Sequence, residues 1–279
     1  MTVTASTAVK AAVEVGRRHD LVVAWPRVLH VGANVVVHLA PAPVVARVAA
    51  ATVMVRPDPA SHLHTEVELA RFAAVQGAPV LSPCAGDLAG PHRHDGHVMS
   101  LWPLVAPAVF PDDAASVGRA LAALHGALAT YDAELPGPER IGGDAHRIAQ
   151  LLGRLGVMPD DEVAAASDET RVAVAALRSL PVDRWRALHG DPHPRNAVID
   201  PSAPDGVLWW DLEDAWRGPV EFDLAVLLRT THLDGRVALG AYLEATAYEL
   251  DPDVLDACLA LRDVQRVWAP WLTHYRASG

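Results

Sequence analysis

Two short stretches carry side chains that suit one kind of chemistry. The first is Leu188-His189-Gly190-Asp191-Pro192-His193-Pro194-Arg195-Asn196, and the second is Gly206-Val207-Leu208-Trp209-Trp210-Asp211. Two prolines exclude a helix from the first, because each lacks an N–H and restricts the residue before it. A fixed irregular loop follows, offering the carboxylate of Asp191 and the amide oxygen of Asn196. The second stretch is a short apolar run and reads as a buried strand with Asp211 at its tip. Phosphoryl transfer uses such a set. One aspartate takes the proton of the attacking hydroxyl, while an Asn and a second Asp hold Mg²⁺ on the phosphates. Mg²⁺ takes oxygen ligands, one or two of them protein carboxylates, and completes its shell with water and phosphate. The expected roles are Asp191 as base or hydroxyl-orienting group, with Asn196 and Asp211 as metal ligands.

The spacing also carries a resemblance. His189-Gly190-Asp191, four residues and then Asn196 repeat the spacing of the kinase loop H-R-D-x-x-x-x-N, with Gly190 in place of Arg. The segment resembles the aminoglycoside phosphotransferase branch of the kinase-like fold, whose loop reads H-G-D-x-H-x-x-N. The resemblance implies an α+β, bilobal protein-kinase-like fold. A small amino-terminal β-sheet lobe with one main helix would span residues 1–102, and a larger, mostly helical lobe residues 103–279. It implies ATP or GTP as co-substrate between the lobes, Mg²⁺ as cofactor, and a small hydroxyl-bearing acceptor. Leu212-Glu213-Asp214 follows Asp211 where a protein kinase has Phe-Gly; similar family members carry an acidic pair there. Whether Glu213 meets metal-bound water or the acceptor stays open. Asp223 matches a family position that braces the catalytic loop, and His189 and His193 are read as supports of that loop.

These groups need elements to hold them. Residues 4–19 have helical spacing, and Val28 to Leu39 reads as two strands around Gly32-Ala33-Asn34. Val44 to Val48 is a further strand, with Thr52 to Val55 extending or following it. Pro57-Asp58-Pro59 breaks the chain. His64 to Val75 is the main helix of this half. Val80-Leu81 and His97 to Leu101 complete a sheet, the second entered through the hairpin signal Asp95-Gly96. In the resembled family the turn at Gly32 and Asn34 covers the phosphates. A lysine on the next strand normally binds them and pairs with a glutamate on the helix. Lys10 is the only lysine here, so Arg47 is the matching cation, with Glu66 as its partner and Arg56 as the fallback. Arginine binds phosphate oxygens through a planar fork and keeps its charge. Ser100-Leu101-Trp102-Pro103 would form the hinge where the base meets backbone, with Ser100 and Trp102 among the nucleotide contacts, and Ala106-Pro107 leading out of it. Helices are expected over 114–130, 144–155, 161–180, 219–229, 232–250 and 253–275, with a loop at 136–143.

Composition narrows the surroundings. No apolar run reaches the ~18 residues of a membrane span, and no basic-then-apolar leader opens the chain. Two distant cysteines, Cys84 and Cys258, suit a reducing cytoplasm. The net charge of −11 disfavours nucleic acid and favours a cationic acceptor through the overall field, although the same charge serves solubility. His92, His94 and His97 lack a neighbouring cysteine at ligand spacing and are not read as a zinc site. Trp268 and Trp271 are read as core, and Asp251, Asp253 and Asp256 as residues of a helix start. The acceptor is an aminoglycoside-like molecule, with a sugar, an amino alcohol or a nucleoside as alternatives. A non-catalytic nucleotide-binding protein is the rival from outside the enzymes, supported only by the missing lysine.

Overall fold

The structure is a computed structural model and describes residues 3–56, 58–105, 108–181 and 185–278. Pro57 and the Ala106-Pro107 pair lie outside those residues. The chain forms two compact units: Met1–Glu68, Ser82–Ala106 and Trp268–Gly279 in the first, Leu69–Leu81 and Pro107–Val267 in the second. The boundary falls within helix α2 (Pro59–Val75), after Glu68.

The first unit opens with α1 (Ala5–Arg18), whose Thr4 hydroxyl caps it through a reciprocal bond with Thr7. An antiparallel sheet follows: β1 (Arg27–Val31), β2 (Asn34–His38), β3 (Val44–Ala49), β4 (His92–His94) and β5 (His97–Pro103), in spatial order β1-β2-β3-β5-β4. β3 is central and buried at every residue, which its run of Val and Ala permits. Thr52 to Val55 does not continue it. Ala51–Met54 is a 3₁₀ turn, because the N–H groups of Ala50 and Thr52 fold back onto the Ala33 carbonyl at 3.2 and 3.4 Å. The hairpin partner of β5 is β4, joined through Asp95-Gly96; Val80-Leu81 makes only an isolated bridge to Trp209 in the second unit.

The second unit is mostly helical. It contains α3 (Ala114–Leu128), α4 (Pro138–Arg154), α5 (Asp160–Arg178), α6 (Glu221–Arg229), α7 (Gly235–Thr246) and α8 (Pro252–Val264). Asp113, Asp234 and Asp251 cap α3, α7 and α8 by accepting from two backbone N–H groups each. Val117, Leu121, Leu124 and Leu128 bury one face of α3. Two two-stranded antiparallel pieces are added, β6 (Arg186–Ala187) with β9 (Arg217–Gly218) and β7 (Ala197–Ile199) with β8 (Val207–Trp209), together with the isolated Val80–Trp209 bridge.

Two expectations are corrected. Residues 138–143 are not loop: Pro138 is the first residue of α4, where a missing N–H costs nothing. The last helix is not continuous either. A 3₁₀ turn at Gln265–Val267 separates α8 from α9 (Trp268–Ser278), and α9 belongs to the first unit, where Tyr275 donates to the Val3 carbonyl. No helix among the described residues is long and apolar enough to cross a membrane.

Candidate active site

The loop 188–196 is held from below by one carboxylate. Asp223, fully buried on α6, accepts the His189 N–H at 2.9 Å on Oδ2 and the Gly190 N–H at 3.0 Å on Oδ1. Its Oδ2 also accepts from His125 Nε2 at 2.9 Å, and Tyr242 donates to the other ring nitrogen of His125 at 2.9 Å. A buried charge is tolerated where its lone pairs are filled in this way. His189 Nε2 donates to the Trp210 carbonyl at 3.0 Å, and its ring meets Trp209 edge-on. Both histidines therefore act as struts.

Above the struts, the loop turns through Gly190 and presents Asp191. Asn196 Nδ2 donates to the Asp191 backbone carbonyl at 2.9 Å and to Asp191 Oδ2 at 3.1 Å. That use of the amide nitrogen leaves Oδ1 of Asn196 as its metal-competent atom. The other carboxylate oxygen, Asp191 Oδ1, meets Arg262 Nη2 of α8 at 3.0 Å. The Asp191 side chain is 26% exposed, yet Oδ1 itself is shielded from solvent. Burial holds the Asp191 carboxyl above the ordinary carboxylate range, against the pull of Arg262.

Asp211 arrives on β8. Ala197 pairs with Trp209, and the Trp210 N–H donates to the Asn196 carbonyl at 3.0 Å, so the hairpin sets Asp211 one residue beyond the partner of Asn196. Asp211 is left-handed (φ 62°, ψ 58°), a conformation that costs a non-glycine residue roughly 1 kcal/mol and concentrates at functional sites. An amide oxygen and a carboxylate brought together in this way fit Mg²⁺. No group of three or more His, Cys, Asp or Glu able to hold a metal occurs among the described residues. His92 bonds the Leu88 carbonyl, His97 bonds the Asp95 carbonyl and Thr7, and His94 bonds Arg18. Glu213 is buried; Asp214 is engaged by Arg140 at 3.2 Å.

The residues expected at the nucleotide lie in the first unit. Arg47, on β3, is buried and forms an ion pair with the fully buried Glu66 of α2. Arg56 is buried as well, its guanidinium 5.6 Å from the centre of the Trp268 ring. Gly32 and Ala33 form the turn between β1 and β2; the Gly32 N–H donates to the Asn34 carbonyl at 3.0 Å, and Asn34 is buried. Ser100 and Trp102 lie within β5, both buried, with Trp102 Nε1 donating to Ser100 Oγ at 2.8 Å. The Leu101 carbonyl accepts from Cys84, outside β3, at 3.3 Å. Alternation along an antiparallel strand then directs the backbone groups of Ser100 and Trp102 to β3, and those of Leu101 and Pro103 away from it.

One participant gave no signal in the sequence. Arg262 is one of several arginines near the carboxyl terminus, and only tertiary packing brings it to Asp191. Gln265 Oε1 accepts from Arg262 Nη1 at 2.7 Å on its other side.

The model of the phosphotransferase enzyme family (APH) matches residues 34–258, and the chain belongs to that family. Its fold is that of the kinase-like enzymes. It is similar to choline kinase LicA from Streptococcus pneumoniae, with a TM-score of 0.65 and 14% identity over 97% of this chain and 92% of that one. It is similar to aminoglycoside 2'-phosphotransferase-IIIa, solved with GDP, at 0.63 and 16% over 96% and 95%. A third relative in structure is APH(3'')-Id from Streptomyces rimosus, solved with ADP and streptomycin, at 0.61 and 16% over 91% and 97%. No curated protein sequence matches the chain.

Proposed function

We propose that the chain is a small-molecule O-kinase that moves the terminal phosphoryl group of ATP or GTP to a hydroxyl of an aminoglycoside-like or other small polar acceptor. The observation that carries this reading is the pairing of Asp191 with Asn196 on a loop braced by Asp223. In the step, the acceptor oxygen bonds to the terminal phosphorus while the bond from that phosphorus to its bridging oxygen breaks. The hydroxyl proton passes to a carboxylate oxygen of Asp191, and the nucleoside diphosphate leaves. A positioned base of this kind is worth about 10²–10⁴ in rate. Asn196 Oδ1 and the Asp211 carboxylate would hold Mg²⁺, which supplies charge neutralisation on the phosphates.

Arg47, oriented by Glu66, is assigned to the phosphates, under the turn at Gly32 and Asn34. The base is assigned to the backbone of Leu101 and Pro103 rather than to Ser100 and Trp102, whose side chains shape the strand. Residues 1–102 would thus serve the nucleotide and residues 103–279 the chemistry. Two free, buried cysteines suit work in the cytoplasm.

The test is a transfer assay with ATP or GTP and Mg²⁺ across hydroxylated amines, sugars and nucleosides. Mg²⁺-dependent phosphorylation of at least one class is expected. Nucleotide that binds but is neither hydrolysed nor transferred would replace this reading with a non-catalytic one.

A further inference from the structure

The cation on Asp191 is unexpected chemistry for a base. An arginine stands at 3.0 Å from Oδ1, the carboxylate oxygen that Asn196 does not engage. The neighbouring arginines have other partners: Arg229 pairs with Asp263 at 2.6 Å and Arg266 with Glu169 at 2.6 Å, both exposed pairs. Arg262 alone among these three is directed at the reacting group. It is held there from both sides, by Asp191 and by Gln265.

Its position on the carboxylate says which side of the reaction it serves. Asn196, the assigned metal ligand, holds Oδ2. Arg262 holds Oδ1, the oxygen away from Asn196. The metal and phosphates belong with Asn196, so Arg262 faces the side from which the acceptor hydroxyl comes. Two histidines lie near the same loop. His193 donates to the Thr230 hydroxyl at 3.3 Å, and its ring stands 4.7 Å from that of His232. The acidic groups close to Asp191 have tasks elsewhere: Asp223 braces the loop, Asp214 meets Arg140, and Asp211 is the second metal ligand.

Resting on the kinase reading, we propose that Arg262 is a specificity-determining residue that binds an oxyanion, carboxylate or phosphate, on the acceptor next to the hydroxyl to be phosphorylated. A guanidinium has five N–H donors in a plane, so it can hold such a group bidentately and still touch Asp191. The acceptor's own anion then competes for the guanidinium and loosens its hold on Oδ1, which is left to take the hydroxyl proton. The overall charge of −11 would favour a cation at long range, but a guanidinium in contact outweighs a field that salt screens beyond ~8–10 Å.

The experiment is calorimetric binding of three small alcohols of similar size to the full-length protein: D-glycerate, sn-glycerol 3-phosphate and choline. The wild type is expected to bind one of the two anions at least tenfold more tightly than choline, and which one names the source of the oxyanion. Arg262→Gln should abolish that preference, and Arg262→Lys should keep part of it. The lysine variant also carries the test if the glutamine variant fails to fold. Equal affinities, a preference for choline, or an anion preference that survives Arg262→Gln would overturn the proposal. So would an Arg262→Gln variant that binds all three alcohols like the wild type. Because binding needs no turnover, failure of the kinase reading would show separately, as anion preference without phosphate transfer.

Discussion

Gly190 admits no side chain for two independent reasons. Its φ is +87°, and a Cβ there would stand 1.9 Å from the carbonyl oxygen of Asp214. Both follow from the loop doubling back between the α6 carboxylate and the turn after β8. Gly190→Ala should therefore lower stability by more than about 3 kcal/mol. Urea unfolding checks this; a loss below about 1 kcal/mol would mean that the loop relaxes away from Asp214. At this scale the sequence was informative where one side chain has one local task. His189, Asp191, Asn196 and Asp211 sit at fixed spacing in two short stretches, and the structure gathers them at one end of the β7–β8 hairpin. Arg262 was not legible, since its meaning comes from a contact with a residue 71 positions away and from no pattern around it.

Elements were legible in proportion to their length and their caps. The buried stripe of α3 and its Asp113 cap are both written locally. The short strands β6 and β9, two residues each, carry no periodicity to detect. Pro138 was misleading because proline both ends helices and begins them, and the residues after it decide which. The division of α8 from α9 was hidden for a related reason: Pro270 falls in the first turn of α9, so the break lies five residues before it, at Gln265. Between elements, the buried pair Arg47–Glu66 ties β3 to α2. Removing one member of such a pair strands the other charge, which typically costs ~3–5 kcal/mol. Glu66→Ala should show that loss in urea unfolding, and a variant as stable as the wild type would mean that Arg47 is satisfied without its partner.

At the scale of the whole molecule, the discontinuous first unit depends on contacts such as Tyr275 with Val3, 272 residues apart, for which local patterning has no signal. The general architecture was nevertheless readable, because strands, one helix, a hairpin and then helices follow in a characteristic order. Identities of 14–16% over more than nine-tenths of the chain show how loosely that order constrains the residues that fill it. The proposed chemistry rests on the small set of oxygens around Asp191. The most direct measurement compares wild type with Asp191→Asn in one preparation, reading nucleotide affinity and the rate of phosphate transfer together. The account predicts an affinity within about twofold and a rate lower by ~10²–10⁴. Transfer at the wild-type rate would contradict it.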